Sequence, residues 1–204
     1  MKLYYSPGAC SLAAHIVASE AGVPVDLVKV DLGSHKLEDG TDYYSVNPRG
    51  YVPAIKLDDG SVMTEASVLT QFIADQKPDS NVIPKMGTKE RYKAMQWLAF
   101  IATELHKQFS PLFDKSTPEA TQNALKAKIV KRLGELNEHL KSNDFILGKT
   151  FSAADAYGFA IINWTNFVNI DLKPFPAIQA WFARVAQRPN VHAALVAEGL
   201  AKAA

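Results

Sequence analysis

The chain has 204 residues, 22 Lys and Arg against 21 Asp and Glu, and a net charge of +1. With 48% hydrophobic and 21% charged residues it has the composition of a globular protein, and its balance of charge excludes bulk attraction to nucleic acid or an anionic membrane. The longest apolar stretch, near Ala156 to Trp164, is too short to span a bilayer, and the opening residues lack the apolar run of a signal peptide, so a cytoplasmic protein is expected.

In chain order, residues 2–5 read as a short strand. Leu12 with Ile16 and Ala13 with Val17 recur at i and i+4, which predicts an amphipathic helix over Ser11–Ala21, stopped by Gly22 and Pro24. Val25, Leu27 and Val28–Val30 form a second strand. A polar segment, Gly33 to Gly40, leads to a short helical piece near Tyr43. The loop Asn47-Pro48-Arg49-Gly50-Tyr51-Val52-Pro53 feeds a strand over Ala54–Leu57. Asp58-Asp59-Gly60 is a hairpin turn and Ser61–Met63 the returning strand. Thr64 is the expected N-cap of a helix over Ala66–Gln76.

Residues 78–87 hold two prolines and read as a linker. Beyond it only helices are expected. Tyr92, Met95, Ala99, Ala102, His106 and Phe109 step along one long helix, and Leu125, Ile129, Leu133, Leu136 and Leu140 along another. Ser152-Ala-Ala-Asp155 opens an apolar helix through Trp164 with capping-box spacing, Asp standing where Glu or Gln is usual. Two shorter helices follow Phe175-Pro176 and Arg188-Pro189. The expected architecture is an α/β thioredoxin-like domain over 1–77, a linker over 78–87 and an all-α domain over 88–204.

Cys10 is the chain's one cysteine, so any disulfide it forms involves a second protein or a small thiol. It sits where the first helix begins, and N–H groups there favour a thiolate. Cysteine is also a small hydrophobe that is often buried, and Cys10 alone does not decide between the two. Two neighbours add to it. Val52-Pro53 precedes a strand, and a cis bond there would turn the Val52 backbone outward to hold a peptide-like ligand, although a plain strand-start proline explains the same residues. Thr64-Glu65-Ala66-Ser67 offers N–H groups for a carboxylate and Glu65 for an ammonium, although simple capping explains these too. Together they describe a pocket for a zwitterionic peptide whose thiol lies near Cys10.

These residues carry a family resemblance. Tyr5-Ser-Pro-Gly-Ala-Cys10-Ser11-Leu12, Val46-Asn-Pro, Val52-Pro53, Thr64-Glu65, Trp97-Leu98, Glu104-Leu105-His106-Lys107, Pro111-Leu112-Phe113 and Ala197-Glu198-Gly199-Leu200 resemble the bacterial beta class of glutathione S-transferases. The resemblance spans essentially the whole chain in one register. It implies that glutathione is the co-substrate, with no metal, and that an electrophilic small molecule, often hydrophobic or halogenated, is the other partner. It implies a homodimer, with no nucleic-acid or membrane partner. Cys10, His106 and Lys107 would be catalytic. Tyr5, Cys10, Ser11, His35 (beside Lys36), Val52, Pro53, Glu65, Ala66 and Ser67 would bind glutathione, with Thr103, Glu104 and His106 adding contacts across the dimer interface. Phe109, Phe113 and above all Trp164 would line the electrophile pocket. Two departures matter. Ala66 replaces a common serine, which removes a hydroxyl from the γ-glutamyl end. Ala99 replaces an asparagine, which removes a cross-subunit hydrogen bond and predicts weaker glutathione affinity, by ~0.5–1.5 kcal/mol.

Other histidines have plainer readings. His15 is expected to be structural and hydrogen-bonded, and His139 and His192 solvated. Tyr157 and Phe167 read as core. No metal-ligand spacing or phosphate loop is present. Two rivals to the transferase remain. One is a monothiol disulfide exchanger in which Cys10 is the nucleophile. The other is a non-enzymatic binding module, which ranks lower because Cys10, Glu65 and His106 are all kept.

Overall fold

The computed structural model describes residues 1–202. The sheet has five strands: β1 (Lys2–Tyr5), β2 (Asp26–Asp31), β3 (Lys36–Leu37), β4 (Ala54–Lys56) and β5 (Val62–Thr64). Their order is β3-β2-β1-β4-β5. β1 and β2 run parallel, joined by helix α1 (Ser11–Ala21), because a parallel pair needs a crossover. β4 and β5 pair antiparallel across the Asp58-Asp59-Gly60 turn, where Gly60 has φ +85°. Helix α2 (Ala66–Asp75) follows. This is the expected thioredoxin-like domain, with one addition. The polar segment after β2 was expected to be loop, but Lys36–Leu37 pairs with Val30–Asp31 as an edge strand. The helical piece near Tyr43 is a single turn of 3-10 helix, started by the Asp42 side chain accepting from the Tyr44 N–H.

The all-α domain holds α3 (Lys89–Phe100), a π-helical segment (Ile101–His106), α4 (Lys107–Phe109), α5 (Glu119–Leu140), α6 (Ala153–Ile162), α7 (Pro176–Ala186) and α8 (Pro189–Ala197). The α5 stripe is as expected: Ile129, Leu133, Leu136 and Leu140 are buried. The α3 stripe is not. Tyr92, Met95 and Ala99 face outward, and the buried positions are Arg91, Ala94, Leu98, Ile101 and Leu105. A buried arginine hides this face from a hydrophobicity reading. Arg91 is accommodated because Asp75 takes its guanidinium with two bonds, at 2.8 and 2.7 Å, and the Pro84 carbonyl takes a third at 3.1 Å.

Helix α1 is not amphipathic in its setting. Ser11 to Ala18 are all buried, because α1 packs against α2 on one side and α6 and α8 on the other. One hydrophobic core therefore runs through both domains. The segment between them is fastened rather than slack. Val82 and Ile83 are buried, and the Val82 carbonyl accepts from the Ala153 N–H at 2.8 Å. Arg188 and Glu20 add a two-bond ion pair across the domains, at 2.7 and 2.8 Å.

The start of α6 is a knot of hydrogen bonds around Asp155, which is fully buried. Its Oδ2 accepts from the Ser152 N–H at 2.8 Å and the Ser152 hydroxyl at 2.7 Å. Its Oδ1 accepts from the Ile146 N–H at 2.7 Å and the Trp181 indole at 2.8 Å. The short Asp side chain thus reaches the cap and has an oxygen left for two further donors. Burial raises its pKa against the pull of those donors. Asp155→Ala leaves several buried donors without an acceptor. We expect it to lower the unfolding free energy by about 3 kcal/mol or more in a urea titration. A loss under about 1 kcal/mol would contradict this role.

Candidate active site

The site begins at Gly8, in the turn between β1 and α1. Gly8 has φ +71°, a backbone that suits glycine. Its N–H donates to Glu198 Oε2 at 3.0 Å, and its carbonyl accepts from the Trp164 indole at 2.8 Å. Glu198 is itself buried, with its other oxygen 3.0 Å from His15 Nδ1. His15 is therefore structural, as expected. Both ends of Gly8 are held by the helical domain, and Cys10 follows two residues later.

Cys10 is buried, and its Sγ donates to the Val52 carbonyl at 3.1 Å. Burial pushes the thiol up to about 12. The backbone N–H groups of Cys10 and Ser11 and the charge of Lys107 pull it down, Glu65 pushes it further up, and burial wins. The expectation of a readily ionised Cys10 is thus corrected: the helix N-terminus is there, but the sulfur is out of water.

The Val52-Pro53 bond is cis. The Val52 N–H has no partner among the described residues, whereas the Tyr51 carbonyl beside it accepts from Tyr43 Oη and Asn47 Nδ2 at 2.9 and 2.7 Å. Pro53 is buried behind it. Glu65, not Thr64, caps α2. Thr64 is the last residue of β5, and Glu65 has φ +74° with no capping bond from its side chain. That backbone turns the exposed Glu65 carboxylate outward to Arg49 at 3.3 Å. The first N–H groups of α2, at Ala66 and Ser67, accordingly precede its hydrogen-bonded turns, which start with Val68 and Leu69 donating to Glu65.

His35 has φ +53°, stacks on Tyr44 with ring centroids 4.6 Å apart, and packs on Gly50 so closely that a Cβ there would lie 2.9 Å from His35 Nδ1. It therefore joins the loop that carries Val52. Lys36 is exposed beside it. His35 packs on Gly50, two residues before Val52, whose carbonyl takes the Cys10 thiol, and Glu65 is close enough to act on that thiol.

Two expected ligand contacts are turned elsewhere. The Ser11 hydroxyl is buried and pairs with the backbone of Ser6, 3.2 Å from both its N–H and its carbonyl. Tyr5 is buried at the end of β1 against His15. Thr103 is exposed and donates to the Ala99 carbonyl at 3.0 Å, and Glu104 is held by Arg132 at 2.6 Å, so within one chain neither joins the Cys10 cluster.

His106 does sit near it, with Lys107 close enough to act on the Cys10 charge. Burial, then Lys107, lowers His106 to about 4. At neutral pH the imidazole is therefore uncharged and can act as a hydrogen-bond donor rather than as a cation. Its Nδ1 lies 2.7 Å from the Tyr157 hydroxyl. The Trp164 ring stands edge-on to His106 at 5.0 Å, to Phe109 at 5.9 Å and to Phe113 at 5.3 Å. Phe113 is half exposed, but Phe109 has no exposed surface and backs Trp164 rather than lining a pocket. Phe167, expected in the core, is 65% exposed. His139, expected in solvent, is half-buried, stacks on Trp97 at 4.5 Å and bonds to the Ile146 carbonyl at 2.9 Å.

The functional roles that sequence reasoning missed are those of Glu198 and Trp164 at Gly8, and of Tyr157 at His106. The only available signal was the Ala-Glu-Gly-Leu motif near the end of the chain. A cavity of about 520 Å³ is lined by Trp97, His139 and Phe151 and by no member of the Cys10 cluster. Chemistry therefore locates the site better than volume does. Among the described residues no group of three or more His, Cys, Asp or Glu could hold a metal, and no helix is long and apolar enough to cross a membrane.

Residues 8–76 match the family model for the glutathione S-transferase N-terminal domain, and residues 100–189 the model for the C-terminal domain. The chain is 46% identical to glutathione S-transferase GstA of Escherichia coli O157:H7, over 98% of this chain and all of that one. Two solved structures are similar throughout. One is a sphingomonad glutathione S-transferase complexed with glutathione, 43% identical with a TM-score of 0.94; the other is the beta-class enzyme of Sphingomonas chungbukensis, 45% identical with a TM-score of 0.95. Each covers 98% of this chain and 100% of its own.

The burial of Cys10 predicts its reactivity. In the native, ligand-free protein, alkylation by iodoacetamide stays slow through pH 9, and in urea the same thiol reacts with an ordinary pKa of about 8.5. Native alkylation at pH 7 that outpaced the unfolded reaction would contradict the burial argument.

Proposed function

The chain belongs to the glutathione S-transferase family, and on that premise we propose how its residues carry out the transfer. Glutathione lies along the line from His35 to Glu65. The unused Val52 N–H binds the cysteinyl carbonyl, the first turn of α2 at Ala66 and Ser67 takes the γ-glutamyl carboxylate, Glu65 takes its ammonium, and His35 and Lys36 take the glycyl carboxylate. The observation that carries this reading is the placing of an unpaired strand-edge N–H, a helix N-terminus and a thiol side by side. The relative solved with glutathione supports the choice of ligand.

In the reaction the glutathione thiol gives its proton to solvent, and the thiolate attacks an electrophilic carbon, adding to it or displacing a halide. The protein stabilises that thiolate through the Cys10 S–H, turned to it from the Val52 carbonyl, the N–H groups at the start of α1, the neutral His106 ring and the charge of Lys107. A thiol held up at about 12 remains protonated and is a donor throughout. The same fact counts against Cys10 as the attacking group of a disulfide exchanger. Trp164, Phe113 and the exposed Phe167 offer the electrophile an aromatic surface.

A homodimer is part of the same proposal. Tyr92 and Met95 are exposed on one face of α3, at 63% and 38%, and Ala99 and Thr103 continue that face. A second copy seated there would bring Thr103 and Glu104 to the partner's glutathione. The chain's own localisation is proposed as cytoplasmic.

Cys10→Ala separates the two chemistries. We expect the variant to keep measurable conjugation of a broad electrophile, at a reduced rate, and to lose all exchange through a protein–glutathione mixed disulfide. Full disulfide-reducing activity in Cys10→Ala, or no conjugation by the wild type, would contradict the assignment.

A further inference from the structure

His106 and Tyr157 form a pair that the transfer scheme above leaves partly unexplained. They come from different elements, the π-helical segment and α6. Tyr157 Oη and His106 Nδ1 are 2.7 Å apart, with the rings perpendicular and their centroids 5.8 Å apart. Tyr157 is 2% exposed, and its hydroxyl has no other partner among the described residues.

A neutral imidazole has one donor and one acceptor nitrogen, and a phenol can play either part. If Nδ1 carried the hydrogen, the phenol would accept it, and its own O–H would be left buried with nothing to donate to. That costs the full desolvation of a donor. If the phenol donates instead, Nδ1 accepts, the hydrogen of the ring moves to Nε2, and no buried group is stranded. Nε2 has no partner among the described residues and is not sealed off, since the one sealed and unpartnered side-chain atom among them is His35 Nδ1. Trp164 does not compete for the ring, because its indole N–H is already given to Gly8.

We propose that Tyr157 is a positioning residue for the transfer: its O–H, donated to His106 Nδ1, holds the imidazole as the Nε2–H tautomer and so offers the glutathione sulfur a neutral N–H donor. This rests on the glutathione site proposed above. The surrounding charges are consistent with it. Lys107, next along the helix, adds to the burial that keeps His106 uncharged. The Glu65 charge at the start of α2 adds to the burial that keeps the Tyr157 phenol protonated. A neutral donor strengthens its bond to sulfur as the thiolate forms and needs no proton of its own to move.

The test is nitrogen-15 NMR of the histidine rings in the wild type and in Tyr157→Phe, together with conjugation kinetics. From about pH 6 to about pH 8 the wild-type His106 should show an acceptor-type Nδ1 and a protonated Nε2. In Tyr157→Phe the two tautomers should mix, and kcat should fall about two- to tenfold with the KM for glutathione unchanged. A protonated Nδ1 in the wild type would overturn the proposal without any variant. So would a Tyr157→Phe spectrum identical to that of the wild type. The wild-type spectrum reports the tautomer alone. Failure of the wild type to bind glutathione would instead remove the site on which the proposal rests.

Discussion

Gly8 is held at both of its backbone polar groups by residues of the helical domain, Glu198 at the N–H and Trp164 at the carbonyl. Everything at the site depends on this double hold. Cys10 begins α1, and α1 is buried on all sides between α2, α6 and α8. The turn before it is closed by Ser6 with Ala9 and Ser11, and the helical domain fastens it at Gly8. The thioredoxin-like domain alone would carry the same residues without the two bonds that place them. Leu200 adds a contact, 3.5 Å from where a Cβ on Gly8 would stand. The late Ala-Glu-Gly-Leu motif thus serves the early Pro-Gly-Ala-Cys motif.

The electrostatics of the site follow from burial rather than from formal charge. Cys10 stays protonated because its sulfur is buried, and His106 stays neutral because most of its ring is buried and Lys107 lies beside it. Lys107 supplies the positive charge that acts on the Cys10 sulfur. The thiolate of a bound peptide would meet hydrogen-bond donors that need little rearrangement, and this is the more economical way to hold a charge in a partly dry cleft. Trp164 links the two halves of the site. It fixes Gly8 through its N–H and faces His106, Phe109 and Phe113 with its ring.

Much of this was legible in the chain, and the failures have physical reasons. The strands β1, β2, β4 and β5, the hairpin at Gly60, most of the α5 stripe and the Ser152–Asp155 cap rest on local rules and appear as expected. The α3 face was misread because Arg91, paired with Asp75 from the other domain, occupies a core position that hydrophobicity assigns outside. Thr64 looked like a cap, but a positive φ at Glu65 is invisible to residue type. Whether Cys10 is a thiolate or a buried thiol could not be read from the chain, because position along a helix says nothing about water. Ser11 was misplaced for a similar reason: its hydroxyl closes the Ser6 turn instead of facing a ligand. The family resemblance named the residues, and the structure shows which of them lie near Cys10 and which are engaged elsewhere.

The central claim is that the sulfur ionised at neutral pH belongs to glutathione, with Cys10 as its protonated neighbour. The ultraviolet absorbance of the thiolate tests this directly when glutathione is titrated into the wild type and into Cys10→Ala. The account predicts no thiolate band at neutral pH before glutathione is added, a band on its binding to the wild type, and a band that needs higher pH in Cys10→Ala. A thiolate band in the free wild-type protein at neutral pH that vanishes in Cys10→Ala would contradict it.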